Sequence, residues 1–196
     1  MDTEMRASLQ KQIEAYSPWN EQEERDRELI LRALGQPDIF TRDNCIAHMT
    51  ASAWVVNQDH TRVLMCYHKI YDSWSWLGGH ADGEEDLLKV AIKEVQEESG
   101  LSGVVPVTKE IFSLESLTVD GHVKKGRYVS SHLHLNVTYL LQADESQPLR
   151  KKEDENSGLA WYTLDDAVAA SSEKWFRDHI YSKLNAKLRK QEENLS

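Results

Sequence analysis

Between Gly78 and Leu101 the sequence sets Asp82, Glu84, Glu85, Asp86, Glu94, Glu97 and Glu98 against two basic residues, Lys89 and Lys93. Glu94, Glu97 and Glu98 stand at i, i+3 and i+4, which places them on one side of a helix. Like charges so placed repel, and partial burial adds a desolvation cost. A bound divalent cation removes both penalties. Carboxylate oxygens are hard ligands, so the ion they suit is Mg²⁺ or Mn²⁺ rather than zinc. Gly78-Gly79 lets the main chain come close and can offer a carbonyl to the same ion. The bland alternative is a salt-bridged, solvated helix face.

The helix that must carry these groups is bounded by local chemistry. Asp86 can act as N-cap and Gly100 as the C-terminal stop, which predicts a helix from about Leu87 to Ser99. Leu87, Leu88, Ala91 and Val95 fall in one arc, the face expected to pack on a sheet. The three glutamates border that arc, while Lys89, Lys93 and Gln96 take the solvent side. Lys93 can pair with Glu97 one turn on, and Glu85 sits at the helix N-terminus, where negative charge is favoured.

Other residues could contact a substrate. Alternation puts His132, His134, Asn136 and Thr138 on one face of a strand, either lining a pocket or forming its wet side. A zinc site built on His132 and His134 would need a companion ligand, and sequence spacing supplies none. His80, His68 and Lys69 flank the acidic stretch, as phosphate contacts or as solvated loop residues. Trp74 and Trp76 could stack on a base, with core packing the competing role. The basic loop Lys124-Lys125-Gly126-Arg127 could reach an anion or simply aid solubility. Cys45 and Cys66 have no general base beside them in sequence and are too few for a disulfide framework, so they are expected to be free thiols in a reducing cytosol.

The elements around these groups alternate in type. Two polar helical segments open the chain, broken at Ser17-Pro18 and stopped at Gly35-Gln36-Pro37. Ala51 to Val56 and Arg62 to Tyr67, joined by Asn57-Gln-Asp-His60, read as a β-hairpin. Strand patterns recur at Val104 to Val107, Ile111 to Val119, His132 to Tyr139 and Leu159 to Tyr162. Gly121 to Gly126 and Ala143 to Asn156 read as loops, Thr163 to Ala170 as a capped helix, and Glu173 to Gln191 as an amphipathic helix. Strands around a central helix, with helices at both ends, make the class α/β.

Composition narrows the function. With 196 residues, 40% hydrophobic and 29% charged, the chain can bury a substantial core. Its formal net charge of −10 disfavours nucleic acid and anionic membranes as partners. It does not disfavour a phosphate-bearing substrate when metal ions intervene. The charged N-terminus shows no secretory signal, and no apolar run reaches membrane-spanning length, so the expected location is the cytoplasm.

The segment from Gly79 to Leu101 resembles the Nudix box, G-x5-E-x7-R-E-U-x-E-E-x-G-U, where U is a bulky aliphatic residue. Gly79, Glu85, Glu94, Val95, Glu97, Glu98, Gly100 and Leu101 occupy its fixed positions, with Lys93 in place of arginine. Trp74-Ser-Trp-Leu-Gly-Gly79 resembles the family's W-x-x-P-G-G entry, Leu77 replacing proline. The resemblance spans roughly Thr50 to Ala170. It implies a mixed β-sheet between helices and leaves both ends unexplained; they are read as an N-terminal helical extension over residues 1–44 and as the C-terminal helix of a Nudix domain over 45–196.

The resemblance also implies chemistry. Nudix proteins are mostly pyrophosphohydrolases acting on a nucleoside diphosphate linked to another group. By position, Glu94, Glu97 and Glu98 would bind Mg²⁺ or Mn²⁺ with the Gly79 carbonyl, and Glu85 would support them. The general base would be Glu98 or the loop residue Glu155, with Glu97 beside it in the catalytic set. His80, Trp76, His132 and His134 are the candidate substrate contacts. Lys93 keeps the arginine's charge but loses its planar fork, which predicts a looser brace between carboxylates. The N-terminal helices could pair two chains into a homodimer. Two alternatives stand beside the hydrolase: a non-catalytic nucleotide-sensing module, and an isopentenyl-diphosphate isomerase, whose cysteine and histidine set has no match in the sequence.

Overall fold

Local breakers and caps fix the first two helices, α1 (Asp2–Ala15) and α2 (Glu21–Ala33). Asn20 caps α2, its side chain accepting from the Glu23 amide at 3.0 Å. The computed structural model describes residues 2–69, 72–124, 126–151 and 156–195. Lys125 of the basic loop and the candidate base Glu155 lie outside those residues.

The strands follow as β1 (Ala47–Val56), β2 (Arg62–His68), β3 (Ser73–Ser75) and β4 (Leu77–His80). After α3 (Leu87–Ser99) come β5 (Val105–Pro106), β6 (Ser113–Val119), β7 (His122–Lys124), β8 (Arg127–Val129), β9 (His132–Gln142) and β10 (Asn156–Thr163). Helix α4 (Leu164–Ala170), a π-helical turn (Phe176–Tyr181) and α5 (Ser182–Leu195) close the described chain. The main sheet runs β10-β2-β1-β9-β5, with β3 on β2, β4 on β1 and β6 on β9, while β7 and β8 pair separately. This is the expected α/β class, a mixed sheet with five helices among the described residues.

The hairpin forms where the turn residues ask for it. Asn57 accepts from the amides of Thr61 and Arg62 through Oδ1, both at 2.9 Å, and His60 takes the left-handed conformation with φ +57. Several elements depart from the sequence reading; β1 begins at Ala47 rather than Ala51, and β9 ends at Gln142 rather than Tyr139. The run 104–107 pairs over only two residues, since Pro106 lacks the amide a longer ladder needs. The expected loop at 121–126 contains strand β7, whose Lys124 pairs in register with Arg127 of β8. β10 is longer than expected, extending over Asn156–Thr163. The last helix starts with the π-helical turn, whose wider winding no composition rule announces.

The chain divides into two compact units. The first comprises Met1–Ser52, Gly78–Ala91 and Lys109–Tyr139. Its core includes Ile13, Ile30, Met49, Leu114, Leu135 and Val137, each fully buried. The second comprises Ala53–Leu77, Ile92–Thr108 and Leu140–Ser196. There Trp54 stacks on Tyr181 at 5.5 Å between ring centroids, and Leu64, Met65 and Leu184 are sealed from solvent.

A polar network lies inside the first unit. Asn136 accepts from Thr50 and Ser52, both at 2.9 Å, and donates to Glu115 at 3.1 Å and Thr138 at 3.0 Å. Thr138 donates to Glu115 at 2.7 Å, and Ser113 sits between Glu115 and Glu23. Glu23 in turn accepts from the Tyr16 hydroxyl at 2.6 Å and the Trp19 amide at 2.7 Å. Glu23 and Glu115 are both fully buried, so the N-terminal helices are tied to β6 and β9 by hydrogen bonds that water cannot replace.

Candidate active site

Helix α3 carries the box glutamates, and its ends are those the sequence predicts. Asp86 Oδ1 accepts from the Lys89 amide at 3.1 Å, and the Gly100 amide donates to Gln96 at 2.9 Å. Gly100 adopts φ +71, and a Cβ there would meet Arg150 Cβ at 2.8 Å. The Arg150 amide donates to the Ser99 carbonyl at 2.7 Å, closing the helix end.

The buried stripe of α3 is rotated slightly from expectation. Leu87, Ala91 and Val95 are buried as predicted, but Val90 joins them and Leu88 is only half-buried. That rotation draws Glu98 inward, to 4% exposed, while the Glu94 side chain is 15% exposed and Glu97 44%. The three carboxylates therefore grade from buried to open. All lie in the last two turns of α3, where the helix macrodipole is itself negative and adds to the demand for a cation. Lys93 Nζ stands 3.5 Å from Glu94 and 3.4 Å from Glu97, touching both carboxylates at long range. The acidic neighbours raise the lysine pKa, Glu94 first.

Gly78 and Glu85 belong to the first unit. A Cβ on Gly78 would lie 2.5 Å from the Ala51 carbonyl oxygen and 2.7 Å from Ser52 Cα, so β4 approaches β1 closer than any side chain allows. Gly79 follows in the same strand. Glu85 is engaged by Arg6 of α1, whose Nε and Nη2 reach Oε1 at 3.1 and 2.8 Å. The same guanidinium lies over the Phe40 ring at 5.0 Å. Spacing within the acidic segment gives no sign of this partner.

His132 and His134 do not stand alone. His48 of β1 and His80 of β4 join them, and His48 has the other three ring centroids at 5.2, 4.9 and 5.0 Å for His80, His132 and His134. His48 escaped the sequence reading, although His48, Thr50 and Ser52 alternate along β1 as the polar residues alternate along β9. Asn136 and Thr138, read with the histidines as one sheet face, lie further along β9 in the buried network with Glu115, neither lining a pocket nor wet.

Trp76 is 9% exposed and packs edge-on against Tyr181 at 5.7 Å and Phe176 at 6.1 Å, within the second unit. Trp74 is held edge-on to Tyr67 and Tyr162. Cys66 is buried, its thiol 3.5 Å from the Trp76 carbonyl and 3.6 Å from Ser75 Oγ, whereas Cys45 is exposed.

The model of the NUDIX domain matches residues 47–184. The chain belongs to the Nudix family. Its enzyme class is thereby that of a hydrolase acting on pyrophosphate bonds. No curated protein matches the sequence. Among solved structures, this Nudix chain is similar to a NUDIX hydrolase from Nitrosomonas europaea, with TM-score 0.54 and 18% identity over 73% of this chain and 88% of that one. The MutT protein from Methanosarcina mazei gives TM-score 0.54 and 15% identity over 72% and 95%. The dihydroneopterin triphosphate pyrophosphohydrolase of E. coli gives 0.50 and 17% over 68% and 92%. At such identities the likeness concerns the fold. Among the described residues no helix is long and apolar enough to cross a membrane.

Proposed function

We propose that this Nudix protein cleaves the diphosphate bond of a nucleoside diphosphate linked to another moiety, using Mg²⁺ or Mn²⁺ held by Glu94, Glu97 and Glu98, with the Gly79 carbonyl and with Glu85 in support. The observation that carries the reading is the graded burial of the three carboxylates at the C-terminal end of α3, in Nudix-box register. The donor set fits the ion: every proposed ligand is a hard oxygen, and the helix end is negative. When bound, the ion neutralises phosphate oxygens and lowers the pKa of an attacking water.

The remaining work falls to the chain. Glu98, nearly excluded from solvent, is the best placed of the three to hold a proton from the attacking water, with Glu155 the competing base and Glu97 beside it. Lys93 keeps Glu94 and Glu97 in fixed relation without a rigid fork. His80, His132, His134 and Trp76 are the proposed substrate contacts, the histidines through whatever fills the open position of an ion they hold. In this reading residues 1–44 are an extension fused to a domain of residues 45–196, and the N-terminal helices are the surface for any pairing of two chains.

The test is a screen of nucleotide diphosphate compounds with Mg²⁺ or Mn²⁺, with products analysed after reaction in isotopically labelled water. Label on a released phosphate, lost in Glu98→Gln while the circular dichroism stays native, is the expected result. Isomerised substrate without phosphate release would instead favour the isomerase. Unchanged turnover in Glu97→Gln and Glu98→Gln would remove both residues from the mechanism.

A further inference from the structure

Outside the glutamate helix, the densest set of metal-ligating side chains in the described structure is the imidazole cluster of the first unit. One nitrogen each from His48, His80 and His134 lies within 4.8 Å of the other two. Ring centroids are 5.2 Å apart for His48 and His80, 5.0 Å for His48 and His134, and 4.8 Å for His80 and His134. Three basic nitrogens converge on one point with no carboxylate among them.

Hydrogen bonding fixes which nitrogen of His48 is free. Its Nδ1 lies 3.0 Å from the Asn44 carbonyl oxygen, which can only accept, so the proton sits on Nδ1. Asn44 is held in turn by the amides of Ile46 and Ala47, which donate to its side chain at 3.2 and 3.1 Å. His48 Nε2 therefore carries a lone pair. That atom is buried, on a residue only 4% exposed, and has no hydrogen-bond partner among the described residues. An orphaned basic nitrogen is costly unless something occupies the space before it.

His132 plays the same orienting part for His134. Its Nδ1 meets the Ser130 carbonyl at 2.8 Å, which leaves its Nε2 as an acceptor 3.2 Å from His134 Nε2. A ring nitrogen tied to a carbonyl or acceptor while the other faces the ion is the usual arrangement of ligating histidines. Burial, followed by neighbouring positive charge, holds His80 down to about 3 and His134 to about 2, and His48 is also lowered. Burial favours the uncharged form in all three, the form a metal requires. Arg42, the nearest guanidinium acting on them, is itself paired with Asp82 at 2.5 Å.

We propose that His48, His80 and His134 bind a late first-row divalent ion of the zinc class, with His132 as a positioning residue for His134. Imidazole nitrogen selects such ions over Mg²⁺, so this site and the glutamate helix take different metals. In a loaded tetrahedral site the nitrogens stand about 3.3 Å apart, given zinc–nitrogen bonds of about 2.0–2.1 Å. Three protein ligands leave one coordination position for water or an anionic oxygen. The assignment rests on the imidazoles alone and not on the hydrolase reading.

The experiment is a titration of the chelator-treated full chain with Zn²⁺ by calorimetry and with Co²⁺ by visible spectroscopy, repeated at millimolar Mg²⁺. One equivalent bound below about 1 μM, with the intense bands of four- or five-coordinate cobalt, is expected. His80→Asn and His134→Asn should each weaken binding by about 100-fold or more, and His132→Ala by about 10–100-fold. His48→Gln is judged with them after circular dichroism confirms its fold. A Glu97→Gln/Glu98→Gln variant should bind Zn²⁺ as the parent does, which separates this site from the hydrolytic one. No stoichiometric binding, or binding lost with the glutamates and indifferent to the histidines, overturns the assignment.

Discussion

Arg6 and Glu85 stand 79 residues apart in sequence, yet two guanidinium nitrogens of one converge on a single carboxylate oxygen of the other. The other oxygen of Glu85 is buried and has no hydrogen-bond partner among the described residues. A box glutamate is thus anchored by the first helix of the chain. Arg6→Ala should cost about 1–2 kcal/mol, because it strands a mostly buried carboxylate while the arginine itself is partly screened. Glu85→Gln should cost less. Urea unfolding of both single variants and the double variant checks this, and additive effects would mean that the pair does not interact.

Lys93 reaches two carboxylates at 3.4 and 3.5 Å and is 60% exposed. Lys93→Arg should leave stability within about 0.5 kcal/mol, as exposed pairs contribute little. The planar fork can hold both carboxylates at once, so hydrolysis should stay equal or rise. Steady-state kinetics with the best screened substrate decides it; a folded, inactive variant contradicts the bracing role.

Gly78 faces main-chain atoms, which cannot swing away as a side-chain tip can. Gly78→Ala should cost about 2–3 kcal/mol through overpacking between β4 and β1. Thermal denaturation reads this directly. A near-normal melting temperature would show that the two strands can separate without loss.

Tyr16 donates to Glu23 at 2.6 Å, and burial together with that carboxylate raises the phenol pKa far above its ordinary value. Tyr16→Phe leaves the ring and removes the donor to a fully buried carboxylate. The expected cost is about 1–3 kcal/mol. Hydrogen exchange in α1 and α2 should rise with it if the loss is local to the N-terminal helices.

In the metal-free protein the histidine cluster makes stability depend on pH. Free histidine titrates near 6.5. Folding lowers His80 to about 3 and His134 to about 2, so between those values and 6.5 the unfolded chain binds protons that the native one refuses. Stability is then complete above the unfolded value and falls as the medium is acidified toward the folded ones. Urea midpoints in chelator should drop from roughly pH 6.5 to 5, ahead of carboxylate titration, and His80→Asn should flatten the slope. A level profile over that window contradicts it.

What could be read from sequence was what local chemistry controls. The bounds of α3 follow from Asp86 and Gly100, which act on their own neighbours, and the Nudix register follows from identities at set spacings. The burial of Glu98 was not legible, because a slight rotation of the helix depends on which of Leu88 or Val90 finds room in the core. His48 was missed because its companions come from β4 and β9, and pairing between distant strands leaves no mark in spacing. The hold of Arg6 on Glu85 was hidden for the same reason. The π-helical turn in the last helix depends on how Tyr181 and Ile180 seat themselves, not on propensity.

The buried carboxylates of Glu23 and Glu115 bear on how this molecule can be trimmed. The family match begins at residue 47, and a boundary drawn there looks natural. Cutting at that point would strip Glu23 from the Ser113 hydroxyl of β6 and Tyr16 from the Phe112 carbonyl, turning an internal seam into a wet, half-satisfied wall beside newly bared aliphatic residues. Such a fragment should precipitate or melt early, and whoever expresses this enzyme should begin well ahead of its recognisable part.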